Sequence, residues 1–208
     1  MIREAYLASA ATAAALLRDP GLAERWTEPS ALPEFTTGGL ARHLANQVTQ
    51  TVTYLAAAPG PAAIPVLEHF TRNDWVTTGA DSPDNADIRR RSERAAASTS
   101  AAGLADLVDA ALAALRAAVP AQPRDRIVDL GEWGLTLEDF LRTRIVELVV
   151  HADDLAVSLG RPTPPADPAA AQVTIELLTR IAAWRHGPLN VIRALARRER
   201  APDSISAF

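Results

Sequence analysis

Apolar residues recur every three or four positions along most of the chain, the spacing that lines one face of an α-helix. The pattern predicts a first helix over residues 2–18, stopped at "RDPG" by Pro20 and Gly21. A long helix is expected from about Gly39 to Ala57, with Thr37 as its N-cap and "PGP" as its end. Two shorter helices follow in "AAIPVLEHFTRNDW" and "DNADIRRRSERAAAS", separated by the polar turn "TTGADSPD". "GLADLVDAALAALRAA" has leucines and valines at helical spacing and is expected to end at Pro120.

The period changes in "PRDRIVDLGEWGLT". Ile127, Val128, Leu130, Trp133 and Leu135 around Gly131 read as a small hairpin or extended connector. Thr136 then N-caps a helix to about Leu159, with Asp139 at N3 in a variant of the capping box and Gly160 closing it before "RPTPP". Two further helices are expected near 167–185 and 188–198. Long amphipathic helices with short breaks make an all-α chain, a bundle of four main helices with accessory short ones and a small hairpin. Residues 1–160 read as the bundle and 161–208 as a C-terminal helical extension packed on it.

Composition narrows the chemistry. The net charge of -4, without a dominant basic stretch, argues against nucleic acid as a partner. "RRRSER" and "RALARRER" are charge-rich but read as solvated helix faces. The chain has no cysteine, so disulfides, thiolate metal ligands and a protein-borne thiol nucleophile are all excluded. Any thiol chemistry must arrive with a ligand. The N-terminal segment reads as an amphipathic helix rather than a signal peptide, and no run approaches a membrane span; the expected location is the cytoplasm, without a membrane partner. The oligomeric state is open, a homodimer included.

Candidate chemistry concentrates in "RTRIVELVVHADDLAVSLG", residues 142–160. Glu147 and His151 stack on one helix face, with Arg144 a turn before and Asp154 about a turn after. At i and i+4, a carboxylate oxygen and an imidazole nitrogen can meet one divalent ion. Spacing alone favours the plainer reading, an ion pair or a satisfied core histidine. A third ligand would have to come from another helix. His43 is the best candidate, since its stripe continues through Gln47, Gln50 and Tyr54 in a helix that should carry an apolar face. Two histidines and one glutamate would leave a zinc-like ion an open position for water or substrate. Asp154 could orient His151 or pair with Arg144. Asn46, Gln47, Gln50 and Asn85 could line a pocket. His69 reads as a surface or partly packed helix residue, His186 as a complement to a helix C-terminus, and the four tryptophans as core.

"WTEPSALPEFTTGGLARHLANQV" is similar to the tryptophan, proline-rich turn and "HLA" segment of the mycothiol-dependent maleylpyruvate isomerase family, and "RTRIVELVVHADDLAVSLG" resembles its R-x-x-E-x-x-x-H-x-x-D motif. With "DSPDNADIRRRSER" between them, the two motifs cover most of residues 1–160. The resemblance implies a DinB-like four-helix bundle holding a divalent metal, usually zinc, on His43, Glu147 and His151. It also implies mycothiol as a small-molecule thiol co-substrate and a small electrophilic substrate, in an S-transferase or isomerase type of reaction. A metal-binding bundle without catalysis is the alternative, which a fourth protein ligand would favour.

Overall fold

The computed structural model describes residues 1–73 and 82–208; Trp75 and most of the turn expected at 77–84 lie outside them. Among the described residues the protein is all-α apart from one two-stranded hairpin. Four long helices build the bundle: α1 (Ile2–Leu17), α3 (Thr37–Ala56), α6 (Ala101–Ala121) and α7 (Leu137–Leu159). α1 packs on α6 and α7, and α3 packs on the same two helices. Tyr6, Leu44, Leu115 and Leu141 meet in their common core, each fully buried. Four helices that each donate an apolar stripe close one continuous core, the main source of stability in such a bundle.

Shorter elements decorate this frame. α2 (Gly21–Glu24) and α4 (Val66–Thr71) are short, and α5 (Pro83–Ala97) lies along α3. The hairpin pairs β1 (Ile127–Asp129) with β2 (Gly134–Thr136), Val128 opposite Leu135. At the C-terminus, α8 (Pro168–His186) packs on α7, and α9 (Pro188–Ala196) packs on α8. A second apolar cluster of Val66, Phe70, Val146, Leu177 and Ile181 joins α4, α7 and α8.

Several expected boundaries move, each for a local reason. α3 is capped by Thr36, not Thr37: the Thr36 hydroxyl accepts the Gly39 amide at 2.9 Å. The Glu93 carboxylate of α5 accepts the Thr36 amide at 2.8 Å and its hydroxyl at 2.9 Å, placing a negative charge at the start of α3. This approach requires glycines. A Cβ on Gly38 would lie 2.7 Å from the Trp26 ring, and one on Gly39 would collide with the Glu93 carboxylate. α4 starts only after Pro65, because residues 62–65 are tied to β2, Ile64 donating to the Gly134 carbonyl at 3.0 Å.

α6 runs through Pro120 to Ala121. The Arg3 guanidinium explains this extension: Nη1 donates to the carbonyls of Val119 at 3.1 Å and Gln122 at 2.8 Å, satisfying groups that a helix end leaves open. α7 begins as its sequence predicts, with the Thr136 hydroxyl accepting from the Asp139 amide at 3.1 Å, and ends at Gly160 in the left-handed region, φ 64°. The Asp139 carboxylate turns to Arg142 at 2.6 Å. Trp184 is 43% exposed, against the expectation of a core residue, whereas Trp26 is partly buried and donates to the Ala96 carbonyl at 3.3 Å.

Candidate metal centre

α3 and α7 cross with His43 facing Glu147 and His151. Glu147 Oε2 lies 3.2 Å from His43 Nε2 and 3.3 Å from His151 Nε2. The two imidazoles meet edge to face, their centroids 4.6 Å apart. One ligand atom from each of the three residues falls within 4.8 Å of the others, and the side chains are only 14–18% exposed. Their neighbours fix them in place. Asp154 Oδ2 lies 2.9 Å from His151 Nδ1 and accepts its hydrogen, which leaves Nε2 turned to Glu147. Gln47, itself buried, donates to the His43 carbonyl at 3.0 Å and accepts from Arg144 Nη1 at 2.8 Å.

The electrostatics follow from these contacts. Burial raises the Glu147 pKa, but the hydrogen bonds and charges of His151 and His43 hold the carboxyl well below its usual range. Burial works against a charged His151 too, yet Asp154 and Glu147 overcome it and push the imidazole up to about 9. Burial wins at His43, whose pKa is lowered with help from the charges of His151 and Arg144 and against the pull of Glu147. In the metal-free chain, one carboxylate and one imidazolium face each other beside a neutral imidazole.

The three residues line a cavity of about 480 Å³. Its walls are mostly apolar, built from Leu32, Phe35, Ile88, Val146, Val150 and Phe208, with Asn85, Arg89 and Arg185 as the other polar lining residues. Arg89 pairs with Glu34, a residue held at φ 65° in the loop before α3. Arg185 is different: its Nη1 is buried and has no hydrogen-bond partner among the described residues.

The model of the mycothiol maleylpyruvate isomerase N-terminal domain family matches residues 6–156. The chain belongs to this family. No curated protein and no solved structure matches it. The family is mycothiol-related, and its domain is a metal-binding, DinB-like helical bundle. The match ends within α7, so α8, α9 and the tail to Phe208 lie beyond it.

The donor set fits a divalent ion of borderline character: two imidazole nitrogens and one carboxylate oxygen converge, and a carboxylate orients one of the imidazoles from behind. The other residues singled out in the sequence divide. Asn85 lines the cavity; Arg144 and Gln47 reach His43 in series; Asp154 bonds His151 and not Arg144. Gln50 is exposed and lines no part of this cavity, since helical spacing fixes a residue's face but not what covers it. Arg185 carries no sequence signal, because it lies on a different helix in an ordinary amphipathic pattern. His186 bonds the Ser206 carbonyl at 2.7 Å, and His69 belongs to a separate cavity.

Proposed function

We propose that the protein is a cytoplasmic metal-dependent enzyme that uses mycothiol to modify a small electrophile, as an S-transferase or, second, an isomerase. The observation that carries this reading is that His43, Glu147 and His151 converge on the wall of an open, largely apolar cavity. Among the described residues the cluster has three members, which leaves the open position of a catalytic site rather than the closed four-ligand shell of a structural one. Residues 1–160 form the metal-binding unit in this proposal, and 161–208 complete its pocket.

A bound divalent ion, zinc by ligand type, would supply a Lewis acid that makes a thiol ionise near neutral pH. The chain supplies the rest. Asp154 keeps the Nδ1 hydrogen of His151 engaged, so that Nε2 is the ligand atom. The apolar walls exclude water from the reacting pair. Arg185, half-buried with a buried Nη1 that has no hydrogen-bond partner among the described residues, suits an electrophile carrying a negative group. In the transfer, the thiol first releases its proton to solvent, and the thiolate sulfur then bonds to the electrophilic carbon as the leaving group departs with its bonding pair.

Elemental analysis of the purified protein, followed by calorimetric titration of mycothiol into the metal-loaded form, tests the reading. We expect about one metal per chain and thiol binding that depends on it. A chain that takes up no metal even after incubation with zinc would return the cluster to a buried polar network.

A further inference from the structure

A second cavity of about 460 Å³ lies between α3, α4, the hairpin and α7, and shares no lining residue with the metal pocket. We propose that it is a binding site for a small organic monocarboxylate, held by Arg144 of α7 and His69 of α4 and packed between Trp133 and Phe140. The proposal does not rest on the metal reading.

Two donors there lack an acceptor among the described residues. Arg144 is half-buried and makes no ion pair among the described residues. Its Nη1 donates to Gln47 at 2.8 Å, its Nε to the Thr143 hydroxyl at 3.1 Å, and its guanidinium lies 5.3 Å from the Phe140 ring centroid. Nη2 has no acceptor among the described residues. A half-buried guanidinium without an ion-pair partner among the described residues is a strong attractor for a carboxylate.

His69 supplies the second donor. The Trp133 indole Nε1–H donates to His69 Nδ1 at 3.1 Å. An indole nitrogen can only donate, so Nδ1 is the acceptor and the ring hydrogen sits on Nε2. That N–H also lacks an acceptor among the described residues. Burial and the neighbouring Arg144 charge hold the His69 pKa down to about 4, so the ring stays a neutral donor.

The rest of the cavity selects among anions. Trp133 and Phe140 give an apolar body somewhere to pack. Exposed Glu132, on the same wall, repels a second negative group and restricts the ligand to one carboxylate. Arg91, also exposed and paired with Asp87 at 2.9 Å, adds positive potential at the lining. The volume falls within the range of ordinary small-molecule pockets, roughly 300–1,000 Å³.

Benzoate is the probe, titrated into the full-length metal-free protein by calorimetry and by tryptophan fluorescence. We expect saturable binding, with benzamide at least about tenfold weaker because charge-assisted bonds are lost. Arg144→Gln and His69→Leu should each weaken benzoate about tenfold or more. Trp133→Phe should erase the fluorescence response, and Arg185→Gln should leave the affinity unchanged. Equal affinity for benzoate and benzamide would overturn the proposal, as would the absence of saturation. So would binding that Arg185→Gln abolishes and His69→Leu spares, since the anion would then sit in the metal pocket. Should Arg144→Gln fail to fold by circular dichroism, His69→Leu and the amide comparison decide.

Discussion

The surroundings of His151 and of His69 make opposite use of the same side chain. Both rings are largely withdrawn from water, which disfavours the imidazolium in each. At His151 two carboxylates, Asp154 and Glu147, reverse that penalty and raise the pKa to about 9. At His69 burial and the nearby Arg144 charge outweigh the opposing pull of Glu147, no carboxylate bonds the ring among the described residues, and the pKa falls to about 4 while Nδ1 receives an indole hydrogen. Burial is the common condition; what meets the ring nitrogens decides the outcome. One imidazole becomes a proton holder that a metal can displace, the other a fixed neutral donor.

The sharpest way to break this contrast is His151→Ala. It should abolish stoichiometric metal binding, read as metal per chain by elemental analysis; unchanged metal content would sink the ligand assignment. Asp154→Asn comes next. Removing the carboxylate behind the ligand should weaken metal affinity about 10- to 100-fold in a competition titration with a chelator. In the metal-free form the same change should bring the His151 titration, followed by NMR, down from about 9.

Stability should depend on pH with opposite signs at the two sites. The folded-state pKa of His69 is depressed, so the unfolded chain takes up the proton first on acidification. Its contribution is present above about 6.5 and lost as pH falls through about 4. That loss is at most about 3 kcal/mol. Urea unfolding at pH 7 and pH 4 should show it as the difference between the wild type and His69→Gln; parallel curves would contradict it. His151 is raised, so in the metal-free chain its contribution is full below about 6.5 and lost as pH rises through about 9. The smallest effect should come from Trp133→Phe, which removes one hydrogen bond worth about 1 kcal/mol and lets the His69 pKa climb. Denaturant midpoints together with His69 chemical shifts would measure both.

The convergence of the three candidate ligands was legible because two of them share one helix turn and the third stands on a helix with a matching polar stripe. Periodicity is a local property, and α3 and α7 are long enough to display it. It also placed Thr136 and Gly160 at the ends of α7. Contacts made across the fold left no such trace. Pro120 reads locally as a stop, yet the helix runs through it, and the open carbonyls of Val119 and Gln122 at its end are met by Arg3, more than a hundred residues away in sequence. Arg185 and His69 become visible only once α8 and α4 are laid against α7. Trp184 shows the converse: a large apolar side chain suggested a core position, but α8 turns it outward.

The bare backbone at Gly39 acts as a keyway. Because no methyl group occupies that position, the Glu93 carboxylate can seat against the first turn of α3 and hold the Thr36 amide and hydroxyl together. The seated carboxylate latches α5 alongside α3, and α5 is the helix that carries Asn85, Ile88 and Arg89 to the lining of the candidate metal pocket. A single alanine there would force Glu93 out of its slot. The clearance of one hydrogen atom thus sets how closely one wall of the pocket can stand to the other.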